Sequence, residues 1–272
     1  MTSRTVRMRR TTMERKLKEQ EIAKREGKHE RWIGTRDMPG VGIKTRLTSS
    51  KTGLRAIHLL SDGEKACFLE LWWDPSILIV YDQVMLEPEK TLRAAARAGV
   101  DHPRYLDTGD PVVLSTDLVA IGERNGRFYK RAISVKSSER FGTTDTMPTQ
   151  KIEEQYWLGE GARFEIFTAH GMHAARHKNL GWLLKAENDM LGRELSETEE
   201  VAQRELLRRL RKCMDARVVD ACEAVERQFS LQSGAGAQAF RQLAAKRIIS
   251  YDLESKNPVL SIVEDLRVNV QL

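Results

Sequence analysis

Asp117 and Lys136 are the two side chains best placed for joint chemistry, since each lies in an apolar run beside a strong turn signal. The runs cover residues 112–121 and 128–136, and Asn125-Gly126 lies between them. Asn-Gly between apolar runs predicts a β-hairpin with a two-residue turn. The predicted register brings the aspartate and the lysine to one face of the hairpin.

The same register assigns the neighbouring side chains to faces. Asp117 lies directly opposite Ser134, and the polar face collects Ser115, Asp117, Ser134 and Lys136. The opposite face is apolar and is expected to form the core. It consists of Leu114, Leu118, Ile133 and Val135.

A carboxylate beside a lysine at the end of a sheet suits metal-assisted hydrolysis of a phosphodiester. The carboxylate holds a hard divalent cation through oxygen, and the cation activates water and neutralises charge on the phosphate. The lysine orients the water or stabilises the developing charge. A second carboxylate is usually needed, and Glu64, near the start of a predicted helix, is the candidate.

Spacing alone leaves plainer interpretations open for the same residues. Asp117 and Lys136 could form a cross-strand ion pair on a solvated face. Glu64 follows Ser61 by three residues, which is the capping-box pattern at a helix start. Glu153 and Glu154, on the helix after the second strand, are interpreted as a solvated face, although one of them could approach the site.

Periodicity and turn signals predict the elements that must hold these residues. Between residues 32 and 168, helices are predicted at 61–73, 92–98 and 151–158, with a flexible polar stretch at 137–149. Strands are predicted at 77–81, 112–121, 128–136 and 164–168. This mixture predicts an α/β unit around a small sheet.

From residue 170 onward the predicted elements are mainly helices, in contrast to the α/β mixture before it. Helices are expected at 199–213 and 240–247, and extended pieces at 248–253 and 260–270. Helices followed by a short hairpin predict a winged-helix-like module. The boundary is placed near residue 169, which gives three segments: an arm at 1–31, an α/β domain at 32–169 and a helical domain at 170–272.

The first segment is dense in arginine and lysine. It is expected either to be a solvated helix or disordered arm, or to contact phosphates. The residues assigned to DNA contact are Arg9, Arg10, Lys16, Lys24 and Arg25.

The composition of the chain indicates which class of partner it binds and in which cellular compartment it works. The net charge of +6 favours an anionic partner, with nucleic acid first among the candidates. The three cysteines and the lack of a secretory signal predict reduced thiols and a cytoplasmic location. No apolar run reaches the roughly 18 residues of a membrane span, so no membrane partner is expected.

Several segments, taken in order and with their spacing, resemble the TnsA endonuclease subunits of heteromeric bacterial transposases. The similarity covers about residues 24–184, and no single segment is specific by itself. The segments are Lys51-Thr52-Gly53, His58–Glu64, Ser115-Thr116-Asp117, Ala132–Lys136, Tyr156-Trp157, Ile166-Phe167-Thr168 and Trp182-Leu183.

The resemblance implies a restriction-endonuclease-like fold with a PD-(D/E)xK type site. Glu64 and Asp117 would hold Mg²⁺, which Mn²⁺ would replace, with the Val135 carbonyl as a further ligand and Lys136 as the catalytic lysine. Ser134 stands where the family usually has glutamine or an acid, and it would act through water or position one. Thr116 replaces the proline of the motif.

The resemblance also implies an assembly. Such a subunit cuts the 5′ strands at transposon ends, while a TnsB-like DDE transposase handles the 3′ strands and a TnsC-like AAA+ ATPase regulates both. Residues 170–272 would dock the ATPase, with a winged-helix DNA contact as the competing use. The alternatives are a self-contained restriction-like or resolvase-like nuclease, and a catalytically impaired DNA-binding or docking subunit.

Overall fold

The computed structural model describes residues 9–37, 43–137, 147–168 and 173–269. The chain divides into two units, Met1–His170 and Gly171–Leu272. Among the described helices, none is long and apolar enough to cross a membrane.

A four-stranded mixed sheet forms the centre of the first unit, in the order β3-β4-β5-β6. Strand β4 runs antiparallel to both of its neighbours, and β6 runs parallel to β5. A parallel pair needs a crossover connection, and the helix between β5 and β6 supplies it. The four strands are β3 (Ile77–Met85), β4 (Ser115–Arg124), β5 (Arg127–Lys136) and β6 (Arg163–Thr168).

The β4-β5 hairpin confirms the predicted turn. Asn125 and Gly126 have φ angles of 53° and 72°, the left-handed conformation that a type I′ turn requires at both positions. Register pairs run from Arg124↔Arg127 to Leu118↔Ile133, as the turn predicts, and the ladder ends there.

Helices cover both faces of the sheet. Three of them are α2 (Asp62–Trp73), α3 (Pro88–Ala98) and α4 (Met147–Gly159). The opposed residues Val119 and Ala132 pack in one apolar cluster with side chains of α3 and α4. Helix α2 lies on the other face, because a Cβ atom at Gly63 would approach the Val135 side chain to 3.1 Å.

The N-terminal part of the unit packs against the β3 edge. It comprises α1 (Arg10–Arg25) and the antiparallel pair β1 (Thr45–Leu47) and β2 (Ile57–Leu59). No residue of α1 is buried. Trp32, just after it, is buried, and its backbone N–H donates to the Gln83 carbonyl of β3 at 2.8 Å.

The described residues of the second unit form four α-helices and a short strand pair around an apolar core of their own. The helices are α5 (Ala174–Met190), α6 (Glu197–Leu210), α7 (Val218–Gln228) and α8 (Ala235–Ala245), and the strands are β7 (Ile249–Ser250) and β8 (Arg267–Val268). Ser196 caps α6 in a capping box with Glu199.

Two predicted segments need correction. Helix α4 begins at Met147, earlier than expected, and residues 138–146 of the stretch predicted to be flexible lie outside the described residues. The extended prediction for 260–270 is wrong in its first half, where 3₁₀ turns form at Pro258–Leu260 and Val263–Asp265. The fixed φ of proline favours the first turn. Val263 and Leu266, three residues apart, are both buried, which is the spacing of such a turn.

Candidate active site

The alternation of side chains across the sheet breaks where Gln83 of β3 lies next to Asp117 of β4. Tyr81 and Val84 pack against the same apolar cluster, although strand residues three apart normally point to opposite faces. Gln83 and Asp117 form no register pair, whereas their neighbours on both sides do. Gln83 has φ of 45°, in the left-handed region that few residues other than glycine adopt. Because the alternation is interrupted here, the side chains of Gln83 and Asp117 do not follow the regular two-residue pattern of the sheet.

The Asp117 side chain bonds the backbone of the neighbouring strand, β5. Its Oδ2 accepts a hydrogen bond of 2.7 Å from the backbone N–H of Val135. A side chain thus takes the place of a ladder bond just beyond the last hairpin pair. This bond fixes the orientation of the carboxylate.

Glu64 reaches the same region from the first turn of α2. Ser61 caps this helix by accepting from the Glu64 backbone N–H, as the sequence predicts. The Glu64 carboxylate accepts from the Leu60 N–H through Oε2 at 2.8 Å and from the Ser61 hydroxyl through Oε1 at 3.1 Å. The side chain is buried. The Glu64 side chain thus accepts from the Leu60 N–H and the Ser61 hydroxyl, whereas the capping box that the spacing suggests would have it accept from the Ser61 backbone N–H.

Gln83 connects the two carboxylates. Its Nε2 lies 3.4 Å from Oε2 of Glu64 and 3.2 Å from Oδ1 of Asp117, and its Oε1 accepts from the Ser115 hydroxyl. The side chain is 2% exposed. Gln83 is not among the residues that the sequence pattern predicts for the site. The available signal was the adjacent pair Asp82-Gln83, which interrupts an otherwise apolar strand.

Glu153 of α4 forms an adjoining group on the other face of the sheet. It accepts from Thr116 Oγ1 at 2.9 Å and from Ser134 Oγ at 3.4 Å, and the Trp157 indole N–H donates to Thr116. Burial raises the pKa of Glu153 to about 7, while the positive charge of Lys136 acts in the opposite direction. The solvated-face interpretation of Glu153 is wrong, because the side chain is buried.

The predicted pairing of Ser134 with Asp117 does not form. Ser134 bonds Glu153, whereas Asp117 bonds Gln83 and the Val135 N–H. The break in alternation is the reason, because the hairpin ladder ends before these two residues. For the same reason Leu114 packs with Val119 in the α4-side cluster, five residues apart, rather than on the face with Leu118.

Lys136 and Val135 lie at the end of β5, next to both groups. Lys136 pairs with Thr168 of β6, and Val135 with Phe167. In the first group, Glu64 and Asp117 both contact the amide of Gln83. The second group, on the α4 side, consists of Ser134, Lys136 and Glu153.

The first group fits a hard divalent cation. Burial, and then the charge of Asp117, raise the pKa of Glu64 to about 8, so two ionised carboxylates here repel each other and a cation would relieve that repulsion. Within the described ranges, no set of three or more His, Cys, Asp or Glu side chains is arranged to hold a metal. Two carboxylates are enough for Mg²⁺, which keeps several of its waters.

The basic residues assigned to DNA contact differ in their surroundings. Lys16 is 12% exposed, and its ammonium donates to the Trp32 carbonyl at 2.7 Å and to Asp37 at 2.8 Å. Lys24 and Arg10 are exposed and ion-paired, with Glu87 and Glu14 respectively. Arg9 and Arg25 are exposed at the two ends of α1. The bonds of Lys16 to Trp32 and Asp37 therefore anchor α1 to the rest of the first unit.

Two carboxylates, one from the first turn of a helix and one from a strand, next to a strand that ends in a lysine are groups that metal-assisted cleavage of a phosphodiester can use. Residues 173–253 match the family model described as TnsA endonuclease C terminal. The chain is also 30% identical over 223 residues to the transposon Tn7 transposition protein TnsA of Escherichia coli, covering 82% of this chain and 78% of that protein. The chain belongs to the TnsA family of transposition endonucleases.

Proposed function

We propose that this chain is a metal-dependent DNA endonuclease that cuts the 5′ strands at transposon ends. Magnesium is the proposed cofactor, with manganese able to replace it. The observation that carries the proposal is the contact of Glu64 and Asp117 with one buried amide, next to the strand that ends in Lys136. In this proposal the first unit has a restriction-endonuclease-like fold, and its site is of the PD-(D/E)xK type.

Each residue of the proposed site has a defined task. Glu64 and Asp117 bind the cation through carboxylate oxygens, and the Val135 carbonyl is the further ligand. A bound divalent cation supplies Lewis acidity and lowers the pKa of a coordinated water. Lys136 orients the attacking water or stabilises charge on the phosphate. Ser134 acts indirectly, because its hydroxyl is directed at Glu153.

The proposed reaction takes place within an assembly. A TnsB-like DDE transposase cuts and joins the 3′ strands, and a TnsC-like AAA+ ATPase regulates both enzymes. The second unit docks the ATPase in this proposal. Its helices followed by the β7-β8 pair suit a winged-helix-like module, for which DNA contact is the competing use.

Strand cleavage in the reconstituted assembly tests the proposal. The chain, its TnsB-like and TnsC-like partners and end-labelled transposon DNA are combined with Mg²⁺, and cuts on the two strands are scored separately. Asp117→Ala is expected to lose 5′ cleavage while 3′ cleavage and the folding of the chain remain, because the lost interaction is with the transition state. Asp101→Ala, at an exposed position, is the matched control.

Two results would contradict the proposal. One is normal 5′ cleavage by Asp117→Ala, which would remove the aspartate from the site. The other is normal 5′ cleavage by the wild-type chain in a chelator, which would remove the metal.

A further inference from the structure

Gln83 combines three properties that a purely structural strand residue does not need. It is a buried amide, its backbone is left-handed, and its side chain contacts both carboxylates of the site. Left-handed backbone at a residue other than glycine persists only where surrounding contacts hold it, and such positions are concentrated at functional sites.

The surrounding contacts that hold this backbone come from the N-terminal part of the chain. The Trp32 N–H donates to the Gln83 carbonyl at 2.8 Å. The preceding residue, Asp82, is buried and accepts from the Arg31 guanidinium and from the His58 N–H, both at 2.8 Å. Together these bonds hold β3 in place at Asp82 and at Gln83, where the pairing with β4 is interrupted.

The amide itself is also oriented. Its oxygen accepts from the Ser115 hydroxyl at 3.2 Å, so its nitrogen faces the carboxylates. Each carboxylate accepts from a backbone N–H as well as from Gln83. Asp117 accepts from Val135 through Oδ2 and from Gln83 through Oδ1. Glu64 accepts from Leu60 and from Gln83 through the same oxygen, Oε2. A neutral side chain with two N–H donors can bind two acidic neighbours without adding charge.

We propose that Gln83 is a positioning residue that fixes the direction and separation of Glu64 and Asp117 for the cation. The proposal rests on the metal-dependent function proposed above. Gln83 acts through the ligands, as the hydrogen-bonding partners of metal ligands do generally. Ser115 supports this action, because it holds the amide nitrogen toward the carboxylates.

Calorimetric titration of the metal-free full-length chain with Mn²⁺ tests the proposal without measuring cleavage. Gln83→Met keeps the length of the side chain and removes the donor, and it is expected to raise the Kd for Mn²⁺ by about tenfold or more. Ser115→Ala leaves Gln83 in place but frees its amide to rotate, and a smaller rise is expected. Thr91→Val is the control, since it removes buried hydrogen bonds of the same unit away from the site.

Thermal unfolding in a chelator separates positioning from general stability. Thr91→Val is expected to lower the Tm while leaving the Kd unchanged. If Gln83→Met lowers the Tm and keeps the wild-type Kd, Gln83 is structural and the inference is wrong. If Gln83→Met does not fold, an unchanged Kd in Ser115→Ala overturns the inference. A wild-type chain that binds no Mn²⁺ overturns the proposed function itself, and is thereby distinguished from failure of Gln83 alone.

Discussion

The backbone N–H of Leu60 donates a 2.8 Å hydrogen bond to Oε2 of Glu64, the same carboxylate oxygen that the Gln83 amide approaches to 3.4 Å. The hydrogen bonds from Leu60, Ser61 and Gln83 favour the ionised form of Glu64, but burial and the charge of Asp117 outweigh them and raise its pKa. In the metal-free chain, Glu64 is therefore mostly protonated at neutral pH. Cation binding must release that proton.

The first prediction concerns the stability of the metal-free chain against pH. A glutamate ionises near pH 4.5 in the unfolded chain, whereas Glu64 has a pKa of about 8 in the folded one. Between these pH values the folded chain holds more protons, so its free energy of unfolding falls as the pH rises. Glu64→Gln should reduce this loss and be more stable than wild type at pH 8 by ~2 kcal/mol, with little difference at pH 4.

Urea unfolding in a chelator at pH 4, 6 and 8 measures this effect. The loss should be reduced rather than abolished, since the raised pKa of Glu153 acts in the same direction. Glu14→Gln, at an exposed position of α1, is the control and should follow the wild-type curve. A Glu64→Gln variant that also follows the wild-type curve would show that Glu64 titrates normally.

The second prediction concerns Ser134. Its hydroxyl donates to Glu153 at 3.4 Å, whereas Asp117 bonds Gln83 and the Val135 N–H. Ser134→Ala should therefore reduce 5′ cleavage by no more than about fivefold, the effect of one ordinary hydrogen bond. Lys136→Ala should reduce it far more. Cleavage rates of the two variants in the reconstituted assembly decide the matter. Equal losses would restore Ser134 as the catalytic residue that the sequence suggests.

The sequence predicts those features of the site that depend on local chemistry. Asn125-Gly126 determines the turn, and the turn determines the hairpin register down to Leu118↔Ile133. Ser61 and the residues after it determine the start of α2 and bring Glu64 to its first turn. In both cases the information lies within a few residues of the feature.

The remaining features depend on contacts between distant segments. At Gln83 the pairing of β3 with β4 is interrupted, and the Gln83 carbonyl accepts from the Trp32 N–H, which comes from a separate part of the chain. The two-residue periodicity of a strand does not encode such an interruption. The burial of Glu153 depends on α4 packing against the sheet, so an acidic residue that suits a solvated face becomes enclosed. The hairpin register predicts Asp117 and Ser134 on one face only if the two-residue alternation continues past Leu118, and in the structure it does not.

The third prediction separates the basic residues of α1. If Arg9, Arg10 and Arg25 contact phosphates, replacing all three with glutamine should weaken DNA binding and reduce the slope of log K against log salt by about 2–3. Lys16→Gln should instead lower the Tm, because Lys16 bonds the Trp32 carbonyl. Fluorescence anisotropy at several salt concentrations measures the slopes. An unchanged slope in the triple variant would mean that α1 is a solvated helix.

The fourth prediction concerns docking of the TnsC-like ATPase by the tail of the second unit, residues 248–272, which the sequence suggests as the docking segment. Truncation after Ser250 is a poor test, because Val263 and Leu266 belong to the core of this unit and Val268 pairs with Ile249. Removing them would unfold the unit whether or not the tail binds a partner. A useful variant must change only exposed side chains.

Leu260 and Ile262 meet this requirement, since they are 50% and 46% exposed between buried tail residues. Exposed apolar side chains held by a folded core are typical anchors of a protein interface. The double variant Leu260→Ser with Ile262→Ser should keep the wild-type Tm and DNA affinity but weaken capture of the ATPase by about tenfold or more in a pull-down.

Leu106→Ser, which changes a leucine that is 81% exposed in the first unit, should capture the ATPase normally. Full capture by the double variant together with loss of DNA binding would assign this surface to DNA instead, as the winged-helix alternative requires.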